Sequence, residues 1–154
     1  MSLKSRKFLR FALIAALAYG VYLADVERRS YLGRQAFEAT GLKSLALEDA
    51  LPIAAAESKP ILVEVSAVWC PTCRALSQKV MAAPKVRDRI NESYIFVRLD
   101  YESEAGEQFM DRVGVRGFPM LFVLGPDGEL REQLRITMDP DAFVTQLANS
   151  WPPG

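Results

Sequence analysis

The chain contains no histidine at all. That removes the commonest general base, the commonest metal ligand and every Ser-His or Cys-His nucleophilic pair. Cysteine is almost as scarce, with only Cys70 and Cys73 in 154 residues. Two thiols without histidine cannot complete a tetrahedral zinc site of the all-Cys or Cys/His kinds, so no metal centre is expected. No basic and aromatic cluster accumulates, which leaves nucleic-acid binding without support. There is no internal repeat and no low-complexity stretch. No cofactor is implied, and what survives these exclusions is the chemistry that two neighbouring thiols do together.

What is present points to one globular domain with an appendage. Half the residues are hydrophobic and a quarter are charged, a folded rather than a disordered balance. Net charge is zero, but residues 1–40 carry seven Lys/Arg against three Asp/Glu, and residues 41–154 carry twelve against sixteen. Lys4, Arg6, Lys7 and Arg10 precede an uncharged apolar run from Phe11 to Ala24 that Asp25 closes. Fourteen helical residues rise roughly 21 Å, short of a hydrocarbon core of roughly 30 Å. Adding Phe8 and Leu9, with Arg10 snorkelling, brings a span within reach. Residues 1–24 are therefore read as a signal anchor. The alternatives are a cleaved signal peptide ending at Ala16-Leu17-Ala18, against which Tyr19 and the continuing apolar run argue, and a buried soluble helix. Anchor and signal peptide imply the same topology: a cytoplasmic basic flank and a domain delivered to the extracytoplasmic side, as in a periplasm.

Residues 25–43 read as a polar helical spacer ending near Gly41, and residues 44–154 as the domain. A short edge strand is expected around Leu45–Leu47. A helix from about Asp49 to Ser58 follows, with Pro52 tolerable only in its first turn. Ile61–Ser66 has the β-branched apolar character of a buried central strand. A helix carrying Leu76, Val80 and Met81 comes next, and Pro84 kinks it or starts another. Tyr94–Leu99 is a strand, Glu102–Val113 a helix, and Met120–Leu124 and Glu129–Ile136 a hairpin around Gly125-Pro126-Asp127-Gly128. Asp139-Pro140 starts a last helix that Trp151-Pro152-Pro153-Gly154 stops. The order β-α-β-α-β-α-β-β-α predicts an α/β fold, a central mixed sheet with helices on both faces.

Trp69-Cys70-Pro71-Thr72-Cys73 falls at the junction of the central strand and the helix after it. A structural disulfide closing so short a loop removes little unfolded-chain entropy, so a redox role is the stronger reading. At the helix N-terminus, free N–H groups and the positive dipole end favour a thiolate on Cys70, the attacking species in exchange. Cys73, one turn on, is placed to resolve the mixed disulfide. Arg74 adds a positive charge nearby.

Residues Lys59–Trp151, about 60% of the chain, resemble a thioredoxin-family domain. KPILVEVSAVWCPTC, IFVRLDY and GVRGFPMLFVLGPDGEL occur in the family's order and spacing. APKVRDRI and ITMDPDAFVTQL make the chain most similar to the C-terminal thioredoxin-like domain of thiol:disulfide interchange proteins of the DsbD kind. Pro71-Thr72 is also seen between the cysteines of periplasmic thioredoxins of cytochrome c maturation, but the spacing here is too short for their central insertion. The acidic residue that DsbD-like domains carry shortly after the second cysteine is missing, since Ala75, Leu76 and Ser77 follow Arg74.

The resemblance implies a thioredoxin fold and a thiol–disulfide oxidoreductase. Pro119 matches the family's cis-proline facing the dithiol, and Phe118 would then offer backbone groups to a substrate strand. Trp69, Pro71 and Thr72 would complete the substrate contacts. Glu64 stands where thioredoxins have a buried aspartate, a possible proton relay for the resolving thiol. The implied protein is a membrane-tethered extracytoplasmic reductase, fed by a membrane-embedded electron donor and acting on oxidised extracytoplasmic proteins. A dithiol oxidase or isomerase, and a non-catalytic binding module, remain the competing readings.

Overall fold

A computed structural model describes residues 3–151, with side chains described from Leu9 onward. The side chains of Lys4, Arg6 and Lys7, and the stop at Pro152-Pro153-Gly154, lie outside the described residues. Helix α1 (Leu3–Glu38) runs unbroken through the expected boundary at residue 24. Its Leu9–Glu38 portion is long and apolar enough, by length and composition, to cross a membrane. Leu13, Leu17 and Val21 are exposed on one side of it and Leu9, Tyr19 and Leu23 on the other, so apolar groups ring the helix rather than forming one stripe. Gly41, at a φ of +69°, lets the chain turn back after it.

The domain contains α2 (Leu47–Glu57), β1 (Ile61–Ser66), α3 (Pro71–Leu76), α4 (Pro84–Ser93), β2 (Ile95–Asp100) and α5 (Glu104–Val113). The hairpin strands β3 (Met120–Leu124) and β4 (Leu130–Leu134) and the helix α6 (Pro140–Ser150) complete it. A π-helical turn at Ser77–Met81 continues α3. The sheet order is β2-β1-β3-β4, with β1 parallel to β2 and antiparallel to β3, and β3 antiparallel to β4. This is the expected mixed sheet with helices on both faces.

Alternation along β1 divides the core in two. Ile61, Val63 and Val65 pack with Ala50 and Ala54 of α2 and with Phe109 and Met110 of α5. Leu62 packs on the opposite face with Leu76, Val80 and Met81, Val86 and Ile90 of α4, and Phe143 and Leu147 of α6. Glu64 and Ser66 share that second face by the same period. Tyr94 closes it by donating its hydroxyl proton to the Leu147 carbonyl at 2.6 Å.

Two local expectations are corrected. Leu45–Leu47 is not a strand: Leu45 alone bridges to Val97, and α2 already begins at Leu47. The Ser44 hydroxyl accepts the Arg98 backbone N–H at 2.7 Å, so a side chain covers the β2 edge where a ladder would have run. Because α2 starts two residues earlier than expected, Pro52 lies in its second turn. The hydrogen bond Pro52 cannot make is one to the Glu48 carbonyl, on an exposed face. Pro84 starts a new helix rather than kinking the old one.

Candidate active site

The dithiol sits where β1 gives way to α3. Cys70 is the N-cap of α3 and Pro71 its first residue, where the absent N–H costs nothing. The Cys73 N–H donates to Cys70 Sγ at 3.1 Å, which satisfies one of the helix's free donors with sulfur. The two sulfurs are free thiols in unequal surroundings. Cys70 is 5% exposed and Cys73 fully buried. Burial first, and then the hydrogen bond with Cys70, push the Cys73 thiol up to about 12, while an Ala67 backbone group and the Ser66 hydroxyl pull the other way. A thiol held so firmly neutral needs a base before it can attack.

Aromatic side chains surround the pair. Phe118 lies edge-on to Trp69 at 5.1 Å and to Tyr101 at 4.6 Å, geometry that favours edge against face. The Trp69 indole N–H donates to Glu102 Oε2 at 3.1 Å. The Phe118–Pro119 peptide is cis, and Phe118 packs against the cluster of Ala67, Cys70 and Cys73. Pro71 and Thr72 are exposed. Of the residues singled out in the sequence, Trp69, Phe118 and the two cysteines thus meet in one cluster.

Glu64 lies on β1, on the sheet face it shares with Leu62 and Ser66. It is fully buried, and neither carboxylate oxygen has a hydrogen-bond partner. Burial raises its pKa, against the lowering influence of the Arg98 charge and the Ser66 hydroxyl. The Arg98 guanidinium stands beside it, Nε 3.8 Å from Oε2, because Glu64 and Arg98 are paired in the parallel register of β1 and β2. Arg98 Nη2 donates to Ser66 Oγ at 2.8 Å. Arg98, Ser66 and Glu102 were not singled out from the sequence. Arg98 is legible only through the strand register; the other two carry no local signal.

Among the described residues, no group of three or more Cys, Asp or Glu side chains gathers as metal ligands would. The site offers a polarised dithiol, a buried carboxyl with a cation beside it, and an aromatic rim.

Residues 42–126 match the family described as thioredoxin-like. The thiol:disulfide interchange protein DsbD of Pseudomonas fluorescens is 32% identical over 125 residues, covering 79% of this chain and 21% of that protein. The chain therefore spans about a fifth of that relative's length. Two solved structures share the fold. The oxidised C-terminal domain of Neisseria meningitidis DsbD has a TM-score of 0.59 at 24% identity, over 69% of this chain and 94% of that one. A thioredoxin from Thermus thermophilus has a TM-score of 0.62 at 20% identity, over 70% and 85%.

Proposed function

Since the chain belongs to the thioredoxin-like family, we propose that it is a thiol–disulfide oxidoreductase working as a membrane-tethered, extracytoplasmic reductase of protein disulfides. The observation that carries this reading is the inequality of the two thiols. Cys70 Sγ accepts a backbone N–H at a helix start, whereas burial keeps the Cys73 proton in place. Such a pair works in sequence rather than in parallel.

In the first step the Cys70 thiolate attacks one sulfur of a substrate disulfide. A bond from Cys70 to that sulfur forms, the substrate S–S bond breaks, and one substrate thiolate leaves. In the second, Cys73 gives up its proton, with Glu64 as the base, and its thiolate attacks Cys70 Sγ. The Cys70–Cys73 disulfide forms and the second substrate thiolate leaves, so the substrate has gained two electrons. Trp69, Pro71, Thr72, Phe118 and Pro119 form the face that receives the substrate strand.

A membrane-embedded dithiol donor returns the enzyme to its reduced form. Residues 1–24 serve as the inner-membrane anchor and residues 25–43 as a helical spacer, with the domain from residue 44 on the periplasmic side. The exposed apolar surface of α1 supports the anchor, and DsbD-like relatives support the electron route.

Equilibration of the purified protein with a thiol redox buffer, read by thiol alkylation, tests the direction. A potential near that of thioredoxin, about −270 mV, is expected for a reductase. A value between roughly −120 and −180 mV overturns that direction in favour of an oxidase or isomerase.

A further inference from the structure

The spacer end of α1 does not merely hang beside the domain. Gly33 lies against Val68, two residues before Cys70, so closely that a Cβ there would run into the Val68 carbonyl oxygen. One turn further on, the Phe37 ring covers the Arg98 guanidinium, whose Cζ is 4.3 Å from the ring centre. Phe37 also stacks on Phe96, two residues before Arg98 on β2, at 6.2 Å. The guanidinium is thus pressed between the arm and the sheet, its side chain 12% exposed. From there it reaches both Ser66 Oγ, at 2.8 Å, and Glu64 Oε2, at 3.8 Å. A cleft of about 210 Å³ opens alongside, lined by Arg34 and Glu38 of α1 and by Ser66 and Asp100, among others.

We propose that Phe37 is a positioning residue of the redox centre: through Arg98 it holds a positive charge against the buried Glu64 carboxyl, so the membrane arm takes part in the resolving step. The proposal rests on the dithiol reading above. Arg98 is the only cation within ion-pair distance of Glu64 among the described residues. The other polar groups around this pair are Ser66 on β1, Asp100 on β2, and Arg34 and Glu38 on α1; β3 presents the apolar Leu121. An arginine face on an aromatic ring loses its fixed direction when the ring is removed. The freed guanidinium turns toward the cleft and its charge is screened by water. Glu64 then takes up its ionised, proton-accepting form only at higher pH.

The test uses the full chain in detergent and a dithiobis(nitrobenzoate) probe. Cys70 attack releases one nitrothiobenzoate anion and leaves the other in a mixed disulfide. Cys73 attack then forms the Cys70–Cys73 bond and releases the second, so stopped-flow absorbance separates the two steps. Phe37→Leu keeps the apolar volume and removes the aromatic face. It should leave the first release within about twofold of the parent. The second release should slow about threefold at neutral pH, with its half-maximal pH moved up by about half a unit, since one unit corresponds to tenfold. Phe37→Tyr should restore both.

Unchanged rate and midpoint for the second release in a folded Phe37→Leu protein would overturn the proposal. If circular dichroism shows that variant unfolded, Arg98→Lys decides: it keeps the charge, loses the planar face, and must show the same upward shift or the proposal fails. A parent protein that releases only one anion sinks the dithiol reading itself, a result distinct from either.

Discussion

Cys73 donates its backbone N–H to Cys70 Sγ at 3.1 Å, so the residue proposed to resolve the exchange also holds the sulfur proposed to begin it. The bond exists because Cys70 caps α3 and the third residue of that helix needs an acceptor. In the proposed mechanism cap and nucleophile are one atom, and the roles of the two thiols are divided by position.

That division gives opposite outcomes for the two single substitutions. Cys70→Ser should lower disulfide reduction to the uncatalysed background, because the remaining thiol, Cys73, is fully buried and held neutral. Cys73→Ala should keep the first attack within about threefold, since its N–H still points at Cys70. It should also accumulate a mixed disulfide with substrate, visible as added mass on the intact protein. Retained turnover in the Cys70 variant, or an absence of trapped species with the Cys73 variant, would contradict the assignment.

Glu64 should make the protein lose stability as pH rises. Burial lifts its pKa above the ordinary value of 4.5, so the folded state holds a proton that the unfolded chain has already lost. Stability from this group is full below about pH 4.5 and declines as pH climbs through the folded-state value. Urea unfolding from pH 5 to pH 8 should show that decline, and Glu64→Gln should flatten it. At pH 8 the variant should be more stable by about 1 kcal/mol, because a buried carboxylate that accepts no hydrogen bond is gone. It should also slow the second nitrothiobenzoate release by about tenfold or more. A slope that persists in Glu64→Gln would place the titrating group elsewhere.

Gly33 and Gly20, on the same helix, should respond differently to alanine. A Cβ at position 33 meets the Val68 backbone, while one at position 20 meets nothing. Gly33→Ala should cost about 1–3 kcal/mol in the docking of α1 and expose Arg29 and Arg34 to limited tryptic cleavage. Gly20→Ala should leave the digestion pattern unchanged. Equal patterns for both variants would mean that the contact with Val68 does not hold α1 in place.

Much of the fold was legible because it is written in short-range patterns. The apolar run Ile61–Ser66 is a strand buried on both faces. Asp139-Pro140 is a helix start whose carboxylate accepts the Asp141 N–H at 2.9 Å. Residues 45–47 misled because an apolar pair can read as an edge strand, and only the approach of Ser44 to Arg98 shows the ladder ending at one residue. Pro52 misled in the other direction, since its missing bond falls where α2 faces solvent and costs less than a central position suggests.

By itself the sequence determined the chemistry available: two thiols one helical turn apart, no histidine to compete, and an apolar N-terminal run ahead of them. It also determined that Cys70 would stand at a helix start, since a buried strand leads into it and Pro71 follows. Only the tertiary structure decided how the buried carboxyl is paired. Glu64 and Arg98 are 34 positions apart and meet through strand register, while Phe37 reaches Arg98 from 61 positions away by the docking of a helix. Such contacts leave no periodicity in the chain, because they depend on which surfaces fit once the elements have formed.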